Sequence, residues 1–232
     1  PFFTAGVTGL ERRFNQQLAG TPGQTVMITN AVGRVTGEDK SQFEAPITGA
    51  NVPTTINDSA QRVLYDALES HRAGCGVVLD IETGDVLAMV STPSFDPNIF
   101  GADDADEYIA GLRSDFAKPF MNKTLEGLYP PGSTFKINVA LAALEAGAIT
   151  PRDKVFCPGY WDYGDRRYHC WEAKGHGHMD LAGALKHSCD IYFYQLALKI
   201  GIDAIKNMAL RLGLSQEYMS DIFARQMTGV IP

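Results

Sequence analysis

A serine and a lysine three positions apart, Ser133 and Lys136, are the residues of this chain best suited to do chemistry together. Side chains three apart share one face of a helix, so the hydroxyl and the amine can meet. A serine hydroxyl is a poor nucleophile until a nearby base takes its proton, and a lysine serves as that base when burial or another cation favours its neutral form. The spacing therefore predicts a nucleophile and its base. The competing interpretation is a helix-capping serine followed by a solvated lysine.

The residues around this pair predict a rigid turn that opens a buried helix. Pro130 and Pro131 favour an extended approach, and Gly132 allows a tight bend. Residues 137–146 are largely apolar and have the composition of a buried helix, which Gly147 ends. A buried helix would also bury the pair, which favours the nucleophile interpretation over the capping one.

Length and composition exclude several classes of protein. The chain has 232 residues, of which 45% are hydrophobic and 20% charged, as in an ordinary globular domain or one domain with part of another. The net charge of −7 argues against nucleic acid as a partner. The sequence has no run as long as a membrane helix and no signal peptide. Because it begins at Pro1, we expect a segment of a longer protein, so the lack of a membrane helix in this chain says nothing about that protein.

The first fifty residues predict a small, separate region. Residues 8–20 have the pattern of an amphipathic helix capped by Thr8, and residues 26–29 that of a short strand. Residues 40–52 are polar and rich in turn formers, which predicts a linker or loop. We therefore place a domain boundary near residue 50, with one domain over residues 1–50 and a second over residues 51–232.

The clearest strand signal follows a predicted helix at residues 59–70, whose inward positions are Val63, Leu64, Ala67 and Leu68. Two apolar runs, residues 75–81 and 85–90, flank Glu82-Thr83-Gly84, which predicts a hairpin with a glycine turn. Both runs are apolar nearly throughout, so we expect both faces to be covered by helices. An acidic helix or loop is predicted at residues 102–112.

The second half combines short helices with a long irregular stretch. Helices are predicted at residues 181–186, 191–200 and 203–212, with Gly201 between the last two. Residues 150–180 are rich in glycine, aromatic and charged residues and show little periodicity. About thirty residues without regular structure in a compact domain indicate a function or a cross-link.

Three cysteines and a histidine form a second constellation in that stretch, with the spacing Cys157-x12-Cys170-x5-His176-x12-Cys189. Four thiolate and imidazole ligands suit tetrahedral Zn²⁺, and a metal would give the loop a fixed shape. Two other interpretations stay open: a disulfide between Cys157 and Cys170, as in an oxidising compartment, and three buried free thiols. Cys75 is predicted to be an ordinary core residue.

Several segments together carry a resemblance to a known family. Tyr-Pro-Pro-Gly-Ser-Thr-Phe-Lys at residues 129–136 resembles the nucleophile motif of the penicillin-binding proteins. Ser188-Cys189-Asp190 resembles their second motif, Ser-x-Asn/Asp, and the hairpin ending at residues 91–98 is also similar. The aspartate at position 190 is typical of the elongation-type branch of the class B members. Residues 9–23 resemble the end of the family's non-catalytic pedestal domain.

The resemblance implies an α+β fold of the penicillin-binding and β-lactamase-like type: a five-stranded antiparallel sheet flanked by helices, with an all-helical lobe. The family's third motif, Lys-Thr/Ser-Gly, does not follow Asp190, and Met227-Thr228-Gly229 lacks its charge. We therefore expect the transpeptidase domain to be incomplete at its C-terminus, and this chain alone to be a poor acyltransferase. Ser94-Phe95-Asp96 has the spacing of the second motif but precedes Ser133 in a Pro-rich loop, which predicts no catalytic role.

The reaction implied by the resemblance is D,D-transpeptidation of peptidoglycan. Ser133 would attack the D-Ala-D-Ala end of a stem peptide with Lys136 as its base, and β-lactams would acylate the same serine. Ser188 would relay a proton to the leaving group, and Asp190 would hydrogen-bond the lysine or the substrate. The backbone N–H of Ser133 would contribute to the oxyanion hole.

The resemblance also favours the zinc interpretation, because the segments around Cys157, Cys170 and His176 are similar to zinc-ligand segments in some elongation-type members. The predicted set is Cys157, Cys170, His176 and Cys189, with His178 as the alternative histidine. Four protein ligands leave no open position, so the metal would be structural. Cys189 would connect it directly to Ser188 and Asp190.

Partners and location follow from the same resemblance. The whole protein would lie at the bacterial inner membrane, on its periplasmic side, held by one N-terminal membrane helix. It would work with a SEDS-type membrane glycosyltransferase and with proteins of the elongation complex. The alternatives are a septal class B enzyme, a serine β-lactamase and a non-catalytic penicillin-binding sensor or scaffold. The pedestal-like segment and the Cys/His loop disfavour the β-lactamase, the loop also disfavours the septal enzyme, and the intact serine and lysine motifs disfavour the sensor.

Overall fold

The computed structural model describes residues 5–100, 105–218, 221–223 and 226–231, and its architecture is α+β, as predicted. The helices are α1 (Gly9–Arg13), α2 (Asn15–Ala19), α3 (Asp58–Glu69), α4 (Ala105–Ser114), α5 (Lys123–Glu126), α6 (Lys136–Glu145), α7 (Leu181–Lys186) and α8 (Asp190–Arg211). The strands are β1 (Gln24–Thr29), β2 (Val35–Glu44), β3 (Gly74–Leu79), β4 (Val86–Thr92), β5 (Val155–Cys157), β6 (Tyr160–Tyr163), β7 (Arg166–His169) and β8 (Gly177–Met179).

The chain divides into two compact units. One comprises Pro1–Gly127 and Tyr218–Met227, and the other comprises Leu128–Glu217 and Thr228–Pro232. In the part of the chain that the structure describes, the strands pair antiparallel as β1–β2, β3–β4, β5–β8 and β6–β7. None of the described helices has both the length and the apolar character needed to cross a bilayer. The predicted domain boundary near residue 50 stays a prediction.

The N-terminal region of the first unit differs from its predicted form in two places. The single helix predicted over residues 8–20 is interrupted at Phe14, which separates α1 from α2, and Thr8 makes no side-chain cap. The predicted loop at 40–52 is wrong for its first five residues, because β2 continues to Glu44 and pairs with β1. Cross-strand hydrogen bonds there override a polar sequence, since strand propensity depends strongly on context.

The hairpin and the helix before it form as predicted. Asn57 caps α3 through its side chain, and β3 pairs with β4. Leu64 and Leu68 of α3 lie directly over Gly76 and Gly74 of β3, where a side chain would collide with Leu64.

Two expectations about burial in this region are wrong. Val63 is 70% exposed, although the pattern placed it inward. Val77 and Leu79 of β3 also remain exposed, so one face of the hairpin is not covered by helices. The predicted helix at 102–112 is observed as α4, and its first three residues lie outside the described ones.

The core of the second unit lies where α6, α7 and α8 pack on one another and on the short strands. Its buried members include Ala143, Ala184, Ile191 and Tyr192. Gly201, with φ of 77°, breaks α8 into the two helical pieces that the sequence predicts. The buried Asn138 of α6 donates to the carbonyl of Ile205 at 3.2 Å and so joins α6 to the second piece.

Residues 150–180 are more regular than predicted. They contain β5–β8 and β6–β7, two ribbons of three and four residues per strand. Strands this short carry too few residues to show an alternating pattern, which is why the sequence appeared irregular. Gly164 turns the chain between β6 and β7 with φ of 60°.

Candidate active site and metal centre

The nucleophile motif forms a 3-10 turn that leads directly into α6. Ser133 lies in this turn, Gly132–Phe135, and is exposed to solvent, whereas Lys136 is the first residue of α6. Gly132 makes the predicted tight bend with φ of 54°. Pro131 is helical, with φ of −68° and ψ of −20°, so the predicted extended approach is wrong at that residue. Pro131 instead adopts the helical conformation of the turn that follows it, because its fixed φ suits the start of a helix.

Lys136 makes its contacts with the second motif rather than with Ser133. Its amine donates to the carbonyl of Ser188 at 2.8 Å, to the Ser188 hydroxyl at 2.9 Å and to Oδ1 of Asp190 at 2.7 Å. The Ser188 hydroxyl in turn donates to Oγ of Ser133 at 2.8 Å. Within the described residues, Ser188 is therefore the link between the lysine amine and the Ser133 hydroxyl.

The Lys136–Asp190 ion pair is largely shielded from water, with the two side chains 13% and 23% exposed. The other carboxylate oxygen of Asp190 accepts a hydrogen bond from the backbone N–H of Trp171 at 3.0 Å. A charge-assisted pair in such a site has a fixed geometry, so Asp190 orients the amine. Sequence reasoning did not single out Trp171, and the only signal for it was its position next to Cys170.

Ser188 is held in an unusual backbone conformation. Its φ is 51°, a left-handed value that a residue with a Cβ seldom adopts. The residue joins the end of α7 to the start of α8, and the Cys189 N–H after it donates to the carbonyl of Ala184 at 2.9 Å. This conformation lets both the carbonyl and the hydroxyl of Ser188 face Lys136. Strained residues of this kind cluster at functional sites.

The arrangement can carry a proton between two hydroxyls and an amine. Ser133 is accessible, Ser188 contacts it, and Lys136 contacts Ser188, all at hydrogen-bond distance. A nucleophile within reach of a relay and a base is the geometry needed for acyl transfer through a covalent serine ester.

The second constellation also comes together in the second unit. The ligand atoms of Cys157, Cys170, His176 and Cys189 all lie within 4.8 Å of one another. Nδ1 of His176 is 3.5 Å from the sulfur of Cys170 and 3.8 Å from that of Cys157. The three cysteines are 1%, 6% and 0% exposed. All four cysteines of the chain are free thiols in this structure, so the alternative disulfide is not formed.

The donor set and its spacing fit a tetrahedral zinc ion. Metal–sulfur and metal–nitrogen bonds of about 2.3 and 2.0 Å place tetrahedral donors about 3.5–3.8 Å apart. The two observed distances from His176 to the sulfurs fall at these values. Nδ1 is the ring nitrogen turned toward the thiols, and the other one, Nε2, is buried without a hydrogen-bond partner among the described residues.

Two glycines allow the loops around the cluster to approach each other. A Cβ on Gly175 would lie 2.2 Å from the carbonyl oxygen of Cys157, and a Cβ on Gly159 would lie 2.2 Å from that of Ala173. Both glycines also have positive φ, 79° and 96°. No other residue fits these positions, because a Cβ would force the backbones of the cluster apart.

Electrostatics differ between two of the thiols. Burial raises the pKa of Cys189 to about 12. Burial acts in the same direction on Cys157, but hydrogen bonds from the backbone N–H groups of His176 and Gly159 outweigh it and lower the pKa of that thiol. A cation in the cluster would favour the thiolate form of both.

The remaining sequence candidates lie outside these two clusters. His178 is on β8 with its ring 5.0 Å from that of Phe156, and it is not part of the thiol cluster. Cys75 lies near the start of β3, as predicted, but it is only partly buried and is not a member of the core. Ser94 is an exposed residue of the first unit, whereas Ser133 belongs to the second.

Comparison with known proteins identifies two family regions in the chain. The family described as the penicillin-binding protein transpeptidase domain matches residues 74–231, and the penicillin-binding protein dimerisation domain matches residues 3–54. The peptidoglycan D,D-transpeptidase MrdA of Escherichia coli K12 is 35% identical over 229 residues, which cover 98% of this chain and 36% of the relative. The chain thus spans about a third of that relative's length.

Solved structures give the same result for the fold. The crystal structure of Pseudomonas aeruginosa PBP2 in complex with WCK 5153 is 37% identical, has a TM-score of 0.79, and is matched over 98% of this chain and 47% of its own. The complex of penicillin-binding protein PBP2 with MreC from Helicobacter pylori is 28% identical, has a TM-score of 0.80, and is matched over 98% and 42%. The α+β fold, the serine motif and the matched transpeptidase region agree, and the chain belongs to the penicillin-binding protein transpeptidase family.

Proposed function

We propose that the protein containing this chain is a serine D,D-transpeptidase that cross-links peptidoglycan stem peptides during cell elongation. The observation that carries the proposal is the continuous hydrogen-bonded path from Ser133 through Ser188 to Lys136 and Asp190. Similarity to D,D-transpeptidases over nearly the whole chain supports the same reaction. A non-catalytic sensor would have no need for an intact path of this kind.

Acylation would begin with attack of the Ser133 oxygen on the carbonyl carbon of the penultimate D-Ala. Lys136 donates three hydrogen bonds as an ammonium, so it would first release one proton to solvent. The Ser133 proton would then pass to Ser188 while the Ser188 proton passes to the Lys136 amine. The backbone N–H of Ser133 would stabilise the negative charge on the carbonyl oxygen. The C–N bond to the terminal D-Ala then breaks, and Lys136 returns its proton through Ser188 to the departing amine.

Deacylation would repeat the same proton path with a new nucleophile. The amine of a neighbouring stem peptide would attack the Ser133 ester and lose its proton through Ser188 toward Lys136. The ester bond breaks, an amide bond forms between the two peptides, and Ser133 recovers its hydroxyl hydrogen. β-Lactams would acylate Ser133 by opening their strained amide, which makes them probes of the first step.

Replacement of the nucleophile tests the proposal. In the full-length protein, Ser133→Ala is expected to abolish release of D-Ala from a stem peptide ending in D-Ala-D-Ala, because no acyl-enzyme can form. Ser94→Ala is the matched control and should release D-Ala normally. It also removes an exposed serine hydroxyl, but one that lies in the first unit and not in the unit of Ser133. Measurable D-Ala release by Ser133→Ala above the uncatalysed rate would contradict the proposal.

The thiol cluster is proposed to hold one structural zinc ion. The ligands would be Cys157, Cys170, His176 and Cys189. The ion would stabilise the loops by joining them. It would not activate a water molecule, since four protein ligands fill its coordination. Three observations support this assignment: the cysteines are buried, the donor atoms have the spacing of a tetrahedral site, and two glycines let the loops around the cluster come close together. Through Cys189, the site would also fix Ser188 and Asp190 relative to Ser133.

A substitution at Cys189 tests both parts of this proposal. Cys189→Ser is expected to lower zinc content by elemental mass spectrometry, the melting temperature and the rate of acylation by a fluorescent penicillin. Cys75→Ser removes a partly buried thiol outside the cluster and should change none of the three. If Cys189→Ser lost zinc and stability but was acylated at the normal rate, the proposal that the metal site positions Ser188 would be wrong.

Location and partners are proposed for the whole protein. We place it at the bacterial inner membrane with its catalytic region in the periplasm, together with a SEDS-type glycosyltransferase and other elongation proteins. Structures of similar proteins with MreC and in a peptidoglycan synthase complex support such assemblies. Co-purification of the full-length protein with a membrane glycosyltransferase would test this, and recovery of the protein alone from gently solubilised membranes would contradict it.

A further inference from the structure

Trp171 makes one hydrogen bond on each side of Ser188. Its indole Nε1–H donates to the backbone carbonyl of His187 at 2.9 Å, and its own backbone N–H donates to Oδ2 of Asp190 at 3.0 Å. His187 directly precedes Ser188, and Asp190 follows it by two residues. One side chain and one peptide group of the same residue therefore hold both flanks of the second motif.

The segment that Trp171 contacts is one that needs support. His187 lies at the end of α7, where the last helical carbonyls have no partner within the helix. The left-handed Ser188 comes next, with φ of 51°, and α8 begins at Asp190. A strained conformation of this kind persists only where surrounding contacts fix it. The indole bond satisfies the His187 carbonyl in the orientation from which the chain turns into Ser188.

Packing in the core does not explain why a tryptophan occupies position 171. Trp171 is 64% exposed, so its large ring contributes little to the core. The ring stands edge-on to His176, with 5.3 Å between centroids, which fixes its direction. An exposed tryptophan with both of its N–H groups used on one loop is explained by its hydrogen bonds rather than by its apolar area.

We propose that Trp171 is a positioning residue that holds Ser188 between Ser133 and Lys136. It acts through His187 and Asp190 and does not take part in bond making or breaking. The proposal rests on the proposed acyl transfer for its kinetic consequence. The hydrogen bond from the indole is a property of the folded chain and can be measured without any reaction.

The first experiment compares two tryptophan substitutions in the full-length protein. Trp171→Phe keeps a flat ring and the backbone bond to Asp190 but removes the indole N–H. Trp161→Phe is the matched control, the same chemical change on β6. Acylation by a fluorescent penicillin is measured over a concentration range, which separates the dissociation constant of the initial complex from the rate constant of acylation.

For Trp171→Phe we expect an acylation rate constant about fivefold lower, as for the loss of one hydrogen bond, with an unchanged dissociation constant. The melting temperature should stay near that of the wild type, and Trp161→Phe should acylate normally. A lower melting temperature with a normal acylation rate constant would overturn the proposal, because the role would be purely structural. A change in the dissociation constant alone would also overturn it, because Trp171 would then be a ligand contact.

The second experiment is independent of acylation. In a ¹⁵N-labelled Trp161→Phe protein, Trp171 supplies the remaining tryptophan indole N–H signal of this chain. We expect its hydrogen exchange to be at least about tenfold slower than that of a free indole, despite the exposed ring. Exchange at the free rate would overturn the proposal. If the wild-type protein is not acylated at all, the proposed function fails, and this measurement alone decides the position of Trp171.

Discussion

Asp190 uses its two carboxylate oxygens for two different donors, the Lys136 amine at 2.7 Å and the Trp171 backbone N–H at 3.0 Å. An asparagine has one oxygen and one NH₂ group, so it can accept from only one of these donors. Its NH₂ group would face the other donor and leave that contact unsatisfied. At this residue, an aspartate and an asparagine are therefore not equivalent.

Asp190→Asn is expected to lower the acylation rate constant at least about tenfold, because it removes the ion pair or the Trp171 bond. Asp203→Asn, an exposed position on the same helix, is the matched control and should be neutral. The measurement is the rate of acylation by a fluorescent penicillin at fixed pH. Equal rates for Asp190→Asn and the wild type would mean that the carboxylate does not orient the lysine.

At the residue scale, the sequence was sufficient for the positions that a motif contains. Ser133, Lys136, Ser188 and Asp190 are adjacent in the structure, and their motifs predicted that they would be. The path between them was not predictable. Helical spacing suggested direct contact of Ser133 with Lys136, whereas the lysine reaches the nucleophile through Ser188. Trp171 was missed because no spacing rule connects it to a loop nearly twenty residues away.

At the scale of elements, the segment that follows β5 and the segment that precedes β8 approach each other closely beside the thiol cluster. Gly175 allows this approach, since a Cβ there would lie 2.2 Å from the Cys157 carbonyl oxygen. Gly164 has a similar positive φ but open space around it. An alanine at Gly164 would therefore show the free-energy cost of a positive φ alone, whereas an alanine at Gly175 would show that cost together with the cost of a steric collision.

Gly175→Ala is expected to weaken binding of the proposed zinc ion and to lower the free energy of unfolding by about 2 kcal/mol or more, because strain and collision add. Gly164→Ala should lower the free energy of unfolding by about 1 kcal/mol and leave binding of the proposed zinc ion unchanged, since it carries the φ penalty alone. Elemental mass spectrometry and urea unfolding measure the two effects. Similar losses in both variants would show that the contact at Gly175 is not needed for the cluster.

Elements with a clear apolar pattern were predictable, whereas the polar strand β2 and the shortest strands were not. The hairpin β3–β4 and the helices α3, α6 and α7 were expected within one or two residues of their observed bounds. Their periodicity or continuous apolar character extends over enough positions to be recognised. The three- and four-residue strands of residues 155–179 follow from tertiary contacts around the cluster, which local pattern does not contain.

For the whole molecule, both candidate sites belong to one compact unit. The Ser133–Lys136 site and the thiol cluster lie within Leu128–Glu217, where α7, Ser188 and α8 connect them. The fold class and the family were predictable because motif residues are spread over most of the chain. The two-unit division was not, because it depends on contacts between segments far apart in sequence.

The proposed nucleophile of the acyl transfer is Ser133. The most direct test is to treat the full-length protein with a penicillin, digest it, and locate the adduct by peptide mass spectrometry. We expect one acyl group per chain, on Ser133, and none on the other serines or on the cysteines. No adduct, or an adduct on any residue other than Ser133, would contradict the assignment of the active site.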